Sequence, residues 1–132
     1  MKKRILLADD EVSILEATKR RLEHEGYEVT TATDGEEVLE EAFDFEEGGF
    51  DLILLDIKMP KLDGFQVVKK LKENPSTDKI PIILFTASSA RWEALLAKCV
   101  ELGITDFLKK PFQSKELVAR VRHVLGEVTT HG

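Results

Sequence analysis

Residues 4–29 read RILLADDEVSILEATKRRLEHEGYEV, and the pattern of apolar residues changes twice along them. An unbroken apolar run at 5–8 leads into three acids, after which apolar residues recur at helical spacing until Gly26. A second run, rich in β-forming residues, starts at Tyr27. A strand, an amphipathic helix and a further strand in this order predict a βαβ unit, whose two strands are parallel and whose crossover is right-handed.

The same alternation of short apolar runs and helical segments continues along the chain. The runs that predict strands lie at 4–8, 27–31, 51–55, 80–85 and 105–108. The apolar stripes of the predicted helices are Ile14, Leu15, Thr18 and Leu22; Val38, Leu39, Ala42 and Phe43; Phe65, Val68 and Leu71; Trp92, Leu95, Leu96, Cys99 and Val100; and Leu117, Val118, Val121, Val124 and Leu125. Five strand–helix repeats predict an α/β fold, with a doubly wound parallel five-stranded sheet and helices on both faces. The second strand is the most polar, which predicts that it lies at an edge of the sheet.

Length and composition limit the classes of protein that fit. The 132 residues predict one domain at 1–127, followed by a short polar tail at 128–132. No run of about 20 apolar residues occurs, which predicts no membrane insertion. The single cysteine, Cys99, cannot form an internal disulfide and suits the cytoplasm, and the net charge of −6 argues against direct nucleic-acid binding by this domain.

Polar residues stand at the ends of four of the predicted strands. They are Asp9 and Asp10 after the first strand, Asp56 after the third, Thr86 after the fourth and Lys110 after the fifth. Parallel strands all end on the same edge of their sheet, and open α/β sheets bind ligands there. We therefore expect these side chains to converge, although Asp9 and Asp10 taken alone would be interpreted as a helix N-cap pair.

The expected cluster has a charge that needs a cation. Asp9, Asp10 and Asp56 bring −3, and at about 4 Å each like pair repels by roughly 4 kcal/mol at an effective dielectric of about 20. The Lys110 ammonium and a divalent cation together would neutralise the three acids. Oxygen donors without His or Cys nearby in sequence favour Mg²⁺, with Mn²⁺ as the alternative, and such a site with a lysine and a hydroxyl suits phosphoryl chemistry.

Four fragments, LLADDE, DLILLDIKMPKLDG, IILFTAS and DFLKKPF, follow one another in this order, each at the end of a predicted strand. Together they resemble the receiver domain of two-component response regulators, and the chain is similar to a single, chemotaxis-regulator-like receiver over about residues 3–126. The resemblance implies a flavodoxin-like fold with strand order 2-1-3-4-5. It also implies a signalling switch rather than an enzyme, which receives a phosphoryl group from a histidine kinase or phosphotransfer protein in a Mg²⁺-dependent reaction.

The resemblance assigns a role to each residue of the cluster. Asp56 matches the phosphoacceptor, and Thr86 and Lys110 match the hydroxyl and the lysine that bind phosphoryl oxygens. The matching metal ligands are Asp10 directly, Asp9 largely through water, Asp56, and the main-chain carbonyl of Lys58.

Further matches concern switching and rate. Phe107 matches the aromatic residue that turns inward when Thr86 moves toward the phosphoryl group. Lys110-Pro111 matches a peptide bond that is typically cis in the family. Lys58 and Ser88 match positions that tune self-hydrolysis.

The implied output surface, where a downstream protein partner would bind, consists of the fourth helix, the fifth strand and the fifth helix. The sequence is compatible with a stand-alone regulator and with the receiver of a longer protein, and it does not determine the oligomeric state.

Two other functions compete with this one. A Mg²⁺-dependent phosphatase with an aspartyl-phosphate intermediate usually has a second Asp where Lys58 stands, and a degenerate receiver used only for binding would not need the complete set of Asp10, Asp56, Thr86 and Lys110.

Overall fold

The computed structural model describes residues 2–44, 49–87 and 92–127, in which five strands and five helices alternate along the chain. The strands are β1 (Arg4–Ala8), β2 (Glu28–Ala32), β3 (Leu52–Asp56), β4 (Ile82–Ala87) and β5 (Asp106–Lys110). The helices are α1 (Val12–His24), α2 (Gly35–Ala42), α3 (Gly64–Lys72), α4 (Trp92–Leu102) and α5 (Ser114–Val124). The five predicted strand–helix repeats are confirmed, and the predicted tail at 128–132 lies outside the described residues.

All five strands run parallel in one sheet of order β2-β1-β3-β4-β5. This is the flavodoxin-like order that the resemblance implies, and it places the polar strand β2 at an edge, as predicted. The central strand β3 is buried along its whole length, because β1 and β4 flank it and helices cover both faces. Since the strands share one direction, their carboxyl ends all lie along one edge of the sheet.

Alternate strand residues pack into two cores, one on each face of the sheet. Leu6 and Ile53 belong to the core that α2, α3 and α4 cover. Their chain neighbours Leu7 and Leu54 belong to the core that α1 and α5 cover. Successive side chains of a strand point to opposite faces, so a continuous apolar run can fill both cores. The predicted doubly wound arrangement is confirmed.

Aspartates cap the two helices that start beside the loop following β3. Asp34 accepts a hydrogen bond from the Glu37 amide at 2.9 Å at the start of α2. Asp63 accepts one from the Gln66 amide at 2.9 Å, and the Gln66 side chain accepts one from the Asp63 amide at 2.9 Å, which completes a capping box on α3. These caps define the start of each helix near the carboxyl edge of the sheet.

The structure moves several predicted strand ends by one or two residues. Asp56 and Lys110 are the last residues of β3 and β5, and Thr86 lies inside β4 rather than after it. The reason is that the sheet ladders continue past the apolar runs, with Asp56 opposite Phe85 and Lys110 opposite Ala87. Ladder hydrogen bonds therefore hold the backbone of these polar residues.

The predicted apolar stripe of the fourth helix is wrong at two positions. Leu96 is 41% and Val100 82% exposed, whereas Cys99 is buried. A helix on a sheet buries a stripe roughly 100° wide, and α4 turns Cys99 and Leu95 toward the core instead. Phe43, included in the second stripe, is also exposed, since α2 has already ended and this residue is its C-cap.

Candidate functional site

The ends of the strands bring the predicted polar residues to one edge of the sheet. Asp9 directly follows β1, and its amide still donates to a β2 carbonyl at 3.2 Å. The β3–β4 ladder places Asp56 opposite Phe85, and the β4–β5 ladder places Lys110 opposite Ala87. Each functional side chain therefore projects from backbone that the sheet holds in place.

Three carboxylates and one ammonium group meet at this edge. One oxygen each of Asp9, Asp10 and Asp56 lies within 4.8 Å of the others. Asp9 and Asp56 are buried, whereas Asp10 is exposed. Lys110 Nζ donates to Asp9 Oδ2 at 2.7 Å and to Asp56 Oδ2 at 2.9 Å. The expected convergence of these four residues is observed.

Burial and charge pairing shift two pKa values at this site. Burial raises the pKa of the Asp56 carboxyl above its ordinary value; the Lys110 ammonium opposes this shift and the Asp9 carboxylate adds to it. Burial alone would lower the pKa of Lys110, but the hydrogen bonds to Asp9 and Asp56 raise it overall. One ammonium group does not balance three carboxylates, and the remaining negative charge would favour a further cation.

Thr86 supplies a hydroxyl to the same site. The residue is 1% exposed, and its Oγ1 has no hydrogen-bond partner within the described part of the chain. Buried hydroxyls are nearly always hydrogen-bonded, because an unsatisfied one costs about 1–3 kcal/mol. A bound group that offers an acceptor oxygen would satisfy the Thr86 hydroxyl.

A cavity of about 580 Å³ joins these groups, with Asp10, Asp56, Thr86 and Lys110 in its lining. Lys58 lines it as well, and its amide donates to Asp56 Oδ1 at 3.3 Å. This hydrogen bond turns the loop after β3 back toward the carboxylate. The main chain of Lys58 therefore lies beside the Asp56 carboxylate.

The sequence did not predict that helix residues such as Phe65, Leu95 and Lys98 line this cavity. Phe65 belongs to α3, and the other two belong to α4. Their local sequence resembles that of any amphipathic helix, with apolar residues toward the core and a lysine toward solvent. The packing of α3 and α4 beside the strand ends is what brings them to the cavity, and no sequence signal in a single chain reports it.

The remaining predicted residues have the following places. Phe107 lies on β5, partly buried against the core under α2, α3 and α4. The peptide bond between Lys110 and Pro111 is cis. Glu11 is the N-cap of α1, and its amide donates to Asp9 Oδ1 at 3.0 Å. Ser88 lies outside the described residues.

The donor atoms fit a hard divalent cation. Three carboxylates lie within reach of one ion, and a main-chain carbonyl follows two residues after Asp56. Mg²⁺ and Mn²⁺ prefer oxygen donors, and Mg²⁺ usually keeps several water ligands. The exposure of Asp10 leaves an open side where water or a phosphoryl oxygen could complete the coordination.

A comparison with protein families agrees with this geometry. The profile of the response regulator receiver domain matches residues 5–122, a span that contains the three acids, the hydroxyl and the lysine. The chain belongs to the response regulator receiver domain family. The predicted resemblance is confirmed, and the cluster at the sheet edge is the acidic pocket of a receiver domain.

Curated relatives of this receiver domain include transcriptional regulators. The chain is 42% identical over 125 residues to the alkaline phosphatase synthesis transcriptional regulatory protein PhoP of Bacillus subtilis, covering 95% of this chain and 49% of PhoP. It is 40% identical over 122 residues to the transcriptional regulatory protein CpxR of Escherichia coli, covering 92% of this chain and 49% of CpxR. The chain therefore spans about half the length of these relatives.

Solved structures of receiver domains superpose closely. A response regulator from Chloroflexus aurantiacus matches with a TM-score of 0.85 and 31% identity, over 96% of this chain and all of that one. The chemotaxis protein CheY4 of Vibrio cholerae matches with a TM-score of 0.83 and 31% identity, over 94% of this chain and 99% of that one. This receiver is thus homologous to phosphorylation-switched two-component response regulators.

No helix in the described part of this receiver is long and apolar enough to cross a membrane.

Proposed function

We propose that Asp56 is the residue of this receiver that accepts the phosphoryl group of a phosphohistidine on a histidine kinase or phosphotransfer protein. A carboxylate oxygen of Asp56 attacks phosphorus, an O–P bond forms and the P–N bond to the donor imidazole breaks. The electron pair of the broken bond stays on the imidazole nitrogen, which takes up a proton. The product is an acyl phosphate on Asp56 and a neutral histidine on the donor.

The observation that carries this proposal is the pairing of Lys110 with Asp56 next to an unpartnered hydroxyl. Lys110 Nζ lies 2.9 Å from Asp56 Oδ2, and the Thr86 hydroxyl, which lacks a partner among the described residues, lines the same cavity. During the transfer negative charge is spread over the phosphoryl oxygens. An ammonium and a hydroxyl already present at the site can stabilise that charge.

The proposed metal ligands are Asp10 directly, Asp9 largely through water, Asp56 and the carbonyl of Lys58. Asp9 is buried and bonded to Lys110 at 2.7 Å, whereas Asp10 is exposed, and this difference supports the assignment of Asp10 as the direct ligand. A bound Mg²⁺, or Mn²⁺ in its place, supplies positive charge to the phosphoryl oxygens and screens the carboxylates from one another.

The proposed switch uses the Thr86 hydroxyl and the Phe107 ring. After phosphorylation the hydroxyl gains an acceptor oxygen, and Thr86 moves toward it. Phe107, which lies on the neighbouring strand and is only partly buried, then turns further into the space that Thr86 leaves. Lys58, which lines the cavity, and Ser88 are the proposed determinants of the self-hydrolysis rate.

A second cavity supports a protein as the phosphoryl donor. This groove has a volume of about 490 Å³ and runs between α1 and the start of α5. Its apolar lining includes Ile14, Ala17, Phe112 and Leu117. Ala87 and Lys110 line both cavities, so the groove leads directly to the phosphoryl site. A donor helix could occupy the groove while its histidine reaches Asp56.

The proposed output surface consists of α4, β5 and α5, where a downstream protein partner binds. Leu96 and Val100 expose apolar side chains on α4. Arg120 of α5 donates twice to the Asp106 carboxylate of β5, at 3.0 and 3.1 Å, and once to the Phe107 carbonyl at 3.0 Å. These contacts connect α5 to the strand that carries the proposed switch residue.

Signalling suits this site better than turnover of small phosphate esters. A phosphatase with an aspartyl-phosphate intermediate usually has an acid two residues after the nucleophile, and here that position is Lys58. The receiver then catalyses only its own phosphorylation and dephosphorylation. A reducing cytoplasm is the proposed location, which suits the free, buried Cys99.

Incubation with acetyl phosphate and Mg²⁺ tests the proposal, with intact-protein mass spectrometry and peptide mapping as the readout. We expect one phosphoryl group on Asp56, which is lost in Asp56→Asn and in the presence of EDTA. Asp51→Asn is the matched control, because Asp51 lies just before the opposite end of the same strand. Phosphate on another residue, or labelling that persists in EDTA, would show that the assignment is wrong.

A further inference from the structure

Gly35 lies where only a residue without a side chain fits. It is the first residue of α2, and a Cβ built on it would lie 2.3 Å from the Leu62 carbonyl oxygen and 2.5 Å from Leu62 Cβ. Both are far shorter than the ordinary contact range of 3.4–4 Å. Leu62 belongs to the loop 57–63, which connects β3 to α3. The start of α2 therefore presses directly on this loop.

The backbone conformation of Gly35 does not require glycine. Its φ lies outside the left-handed region, unlike the φ of Gly26 at +99°. Glycine in an ordinary helical conformation lowers stability relative to alanine. A glycine that is unfavourable for the helix and not needed for the backbone is best explained by the close approach of the loop.

Further contacts hold the loop against α2. The Gly35 amide donates to the Pro60 carbonyl at 3.3 Å. Lys61 Nζ lies 3.5 Å from Asp34 Oδ2 and 3.8 Å from Glu36 Oε2, on either side of Gly35. Lys61 also has a φ of +70°, a conformation that residues other than glycine rarely adopt. The middle of the loop is therefore held in one position by the start of α2.

The two ends of the same loop are joined to each other just after β3. The Gly64 amide donates to the Ile57 carbonyl at 2.7 Å, and a Cβ on Gly64 would lie 2.8 Å from the Asp56 carbonyl oxygen. Lys58 is thus confined between a fixed end and the segment that α2 holds. Its carbonyl lies in the part of the loop between these two sets of contacts.

We propose that Gly35 is a positioning residue for the metal site. Because it has no side chain, α2 can hold residues 60–62 in a position that leaves the Lys58 carbonyl able to bind the ion. The inference rests on the proposed function of this carbonyl as a metal ligand. An added methyl group would push Leu62 away by on the order of 1 Å to restore ordinary contact. Mg²⁺ demands near-ideal octahedral geometry at about 2.0–2.1 Å, so a displaced ligand weakens binding.

Titration calorimetry with MgCl₂ tests the proposal on the wild type, Gly35→Ala and Gly26→Ala. We expect Gly35→Ala to raise the Mg²⁺ dissociation constant about tenfold, the lower end of the effect typical for groups that orient metal ligands. Gly26→Ala is the matched control. Its Cβ meets no atom within 4 Å, but its φ of +99° strains the backbone, so it should lower stability and leave Mg²⁺ affinity within about twofold.

If the Gly35→Ala protein fails to fold, a second variant and a structural measurement still test the proposal. Lys61→Gly tolerates the positive φ but removes both ion pairs, and we expect it to weaken Mg²⁺ binding about threefold with the amide NMR signal of Lys58 shifted. Wild-type Mg²⁺ affinity in the folded variants would overturn this inference alone. Absence of Mg²⁺ binding in the wild type would instead overturn the proposed metal site.

Discussion

Replacing Thr86 by valine should stabilise the free protein while it impairs phosphorylation. Valine keeps the branched shape of the side chain and removes a hydroxyl that has no partner within the described residues. Relief of an unsatisfied buried hydroxyl is worth about 1–3 kcal/mol. For a chain of 132 residues the unfolding entropy is about 0.28 kcal/mol/K, which converts this range to a rise in Tm of about 4–11 °C.

The same substitution should slow phosphorylation, because the transferred group loses a hydrogen-bond donor. A hydrogen bond to a charged partner is worth about 1.5–3 kcal/mol, which corresponds to a decrease of about 10- to 160-fold in the rate of labelling by acetyl phosphate. Thermal unfolding in EDTA, followed by circular dichroism, measures the first effect. A labelling time course in Mg²⁺ measures the second.

Thr77 offers a matched control for this experiment. Thr77 and Thr86 are both 1% exposed, but the Thr77 hydroxyl donates to the Leu71 carbonyl at 2.7 Å. Thr77→Val should therefore lower the free energy of unfolding by about 1–3 kcal/mol and leave labelling unchanged. A Tm of Thr86→Val at or below that of the wild type would refute the reasoning, since the hydroxyl would then already be satisfied in the free protein.

Two further predictions concern the metal and pH. Mg²⁺ at about 100 times its dissociation constant should stabilise the wild type by about 2.7 kcal/mol, which raises its Tm by about 10 °C. The Asp10→Asn variant should lose most of this rise in Tm. An equal rise in the variant would exclude Asp10 as a metal ligand. Burial, followed by the hydrogen bond from the Tyr27 hydroxyl to Glu127, raises the pKa of Tyr27 to about 12 from 10.0. The folded state then holds this proton between pH 10 and 12 while the unfolded state releases it, so stability should fall with rising pH across that window. Urea unfolding at a series of pH values measures the fall, and a Tyr27→Phe protein with the same slope would contradict it.

The fold could be predicted almost entirely from local patterns. The apolar run at 5–8 and the helical spacing that follows depend only on near neighbours in the chain, and five such repeats are compatible with few topologies. The order 2-1-3-4-5 came from the resemblance, because strand–helix alternation alone does not determine which strands are neighbours. The failures at Leu96 and Val100 have a similar cause: both fit the apolar stripe, but how far a helix rotates on its sheet depends on packing.

The residues that form the site were predicted from the sequence, whereas the hydrogen bonds of their side chains were not. Parallel strands must end on one edge of their sheet. The sequence could therefore predict that Asp9, Asp56 and Lys110 lie close together, although Lys110 is far along the chain from Asp9. That Lys110 bonds to Asp9 as well as to Asp56 was not predicted, nor that the Thr86 hydroxyl lacks a partner in the described part of the chain. Both depend on side-chain positions to within about 1 Å, which a sequence pattern does not determine.

The sequence by itself therefore determined the parallel sheet, its polar carboxyl edge and the oxygen chemistry of the site, since residue type and spacing are enough for these. Tertiary structure alone decided how the elements touch. It places α2 against the loop after β3 so closely that position 35 has no room for a Cβ, and it brings Lys98 to the cavity beside Asp56. Contacts between segments distant in the chain depend on the packing of whole elements, and the residues involved have no local pattern that indicates them.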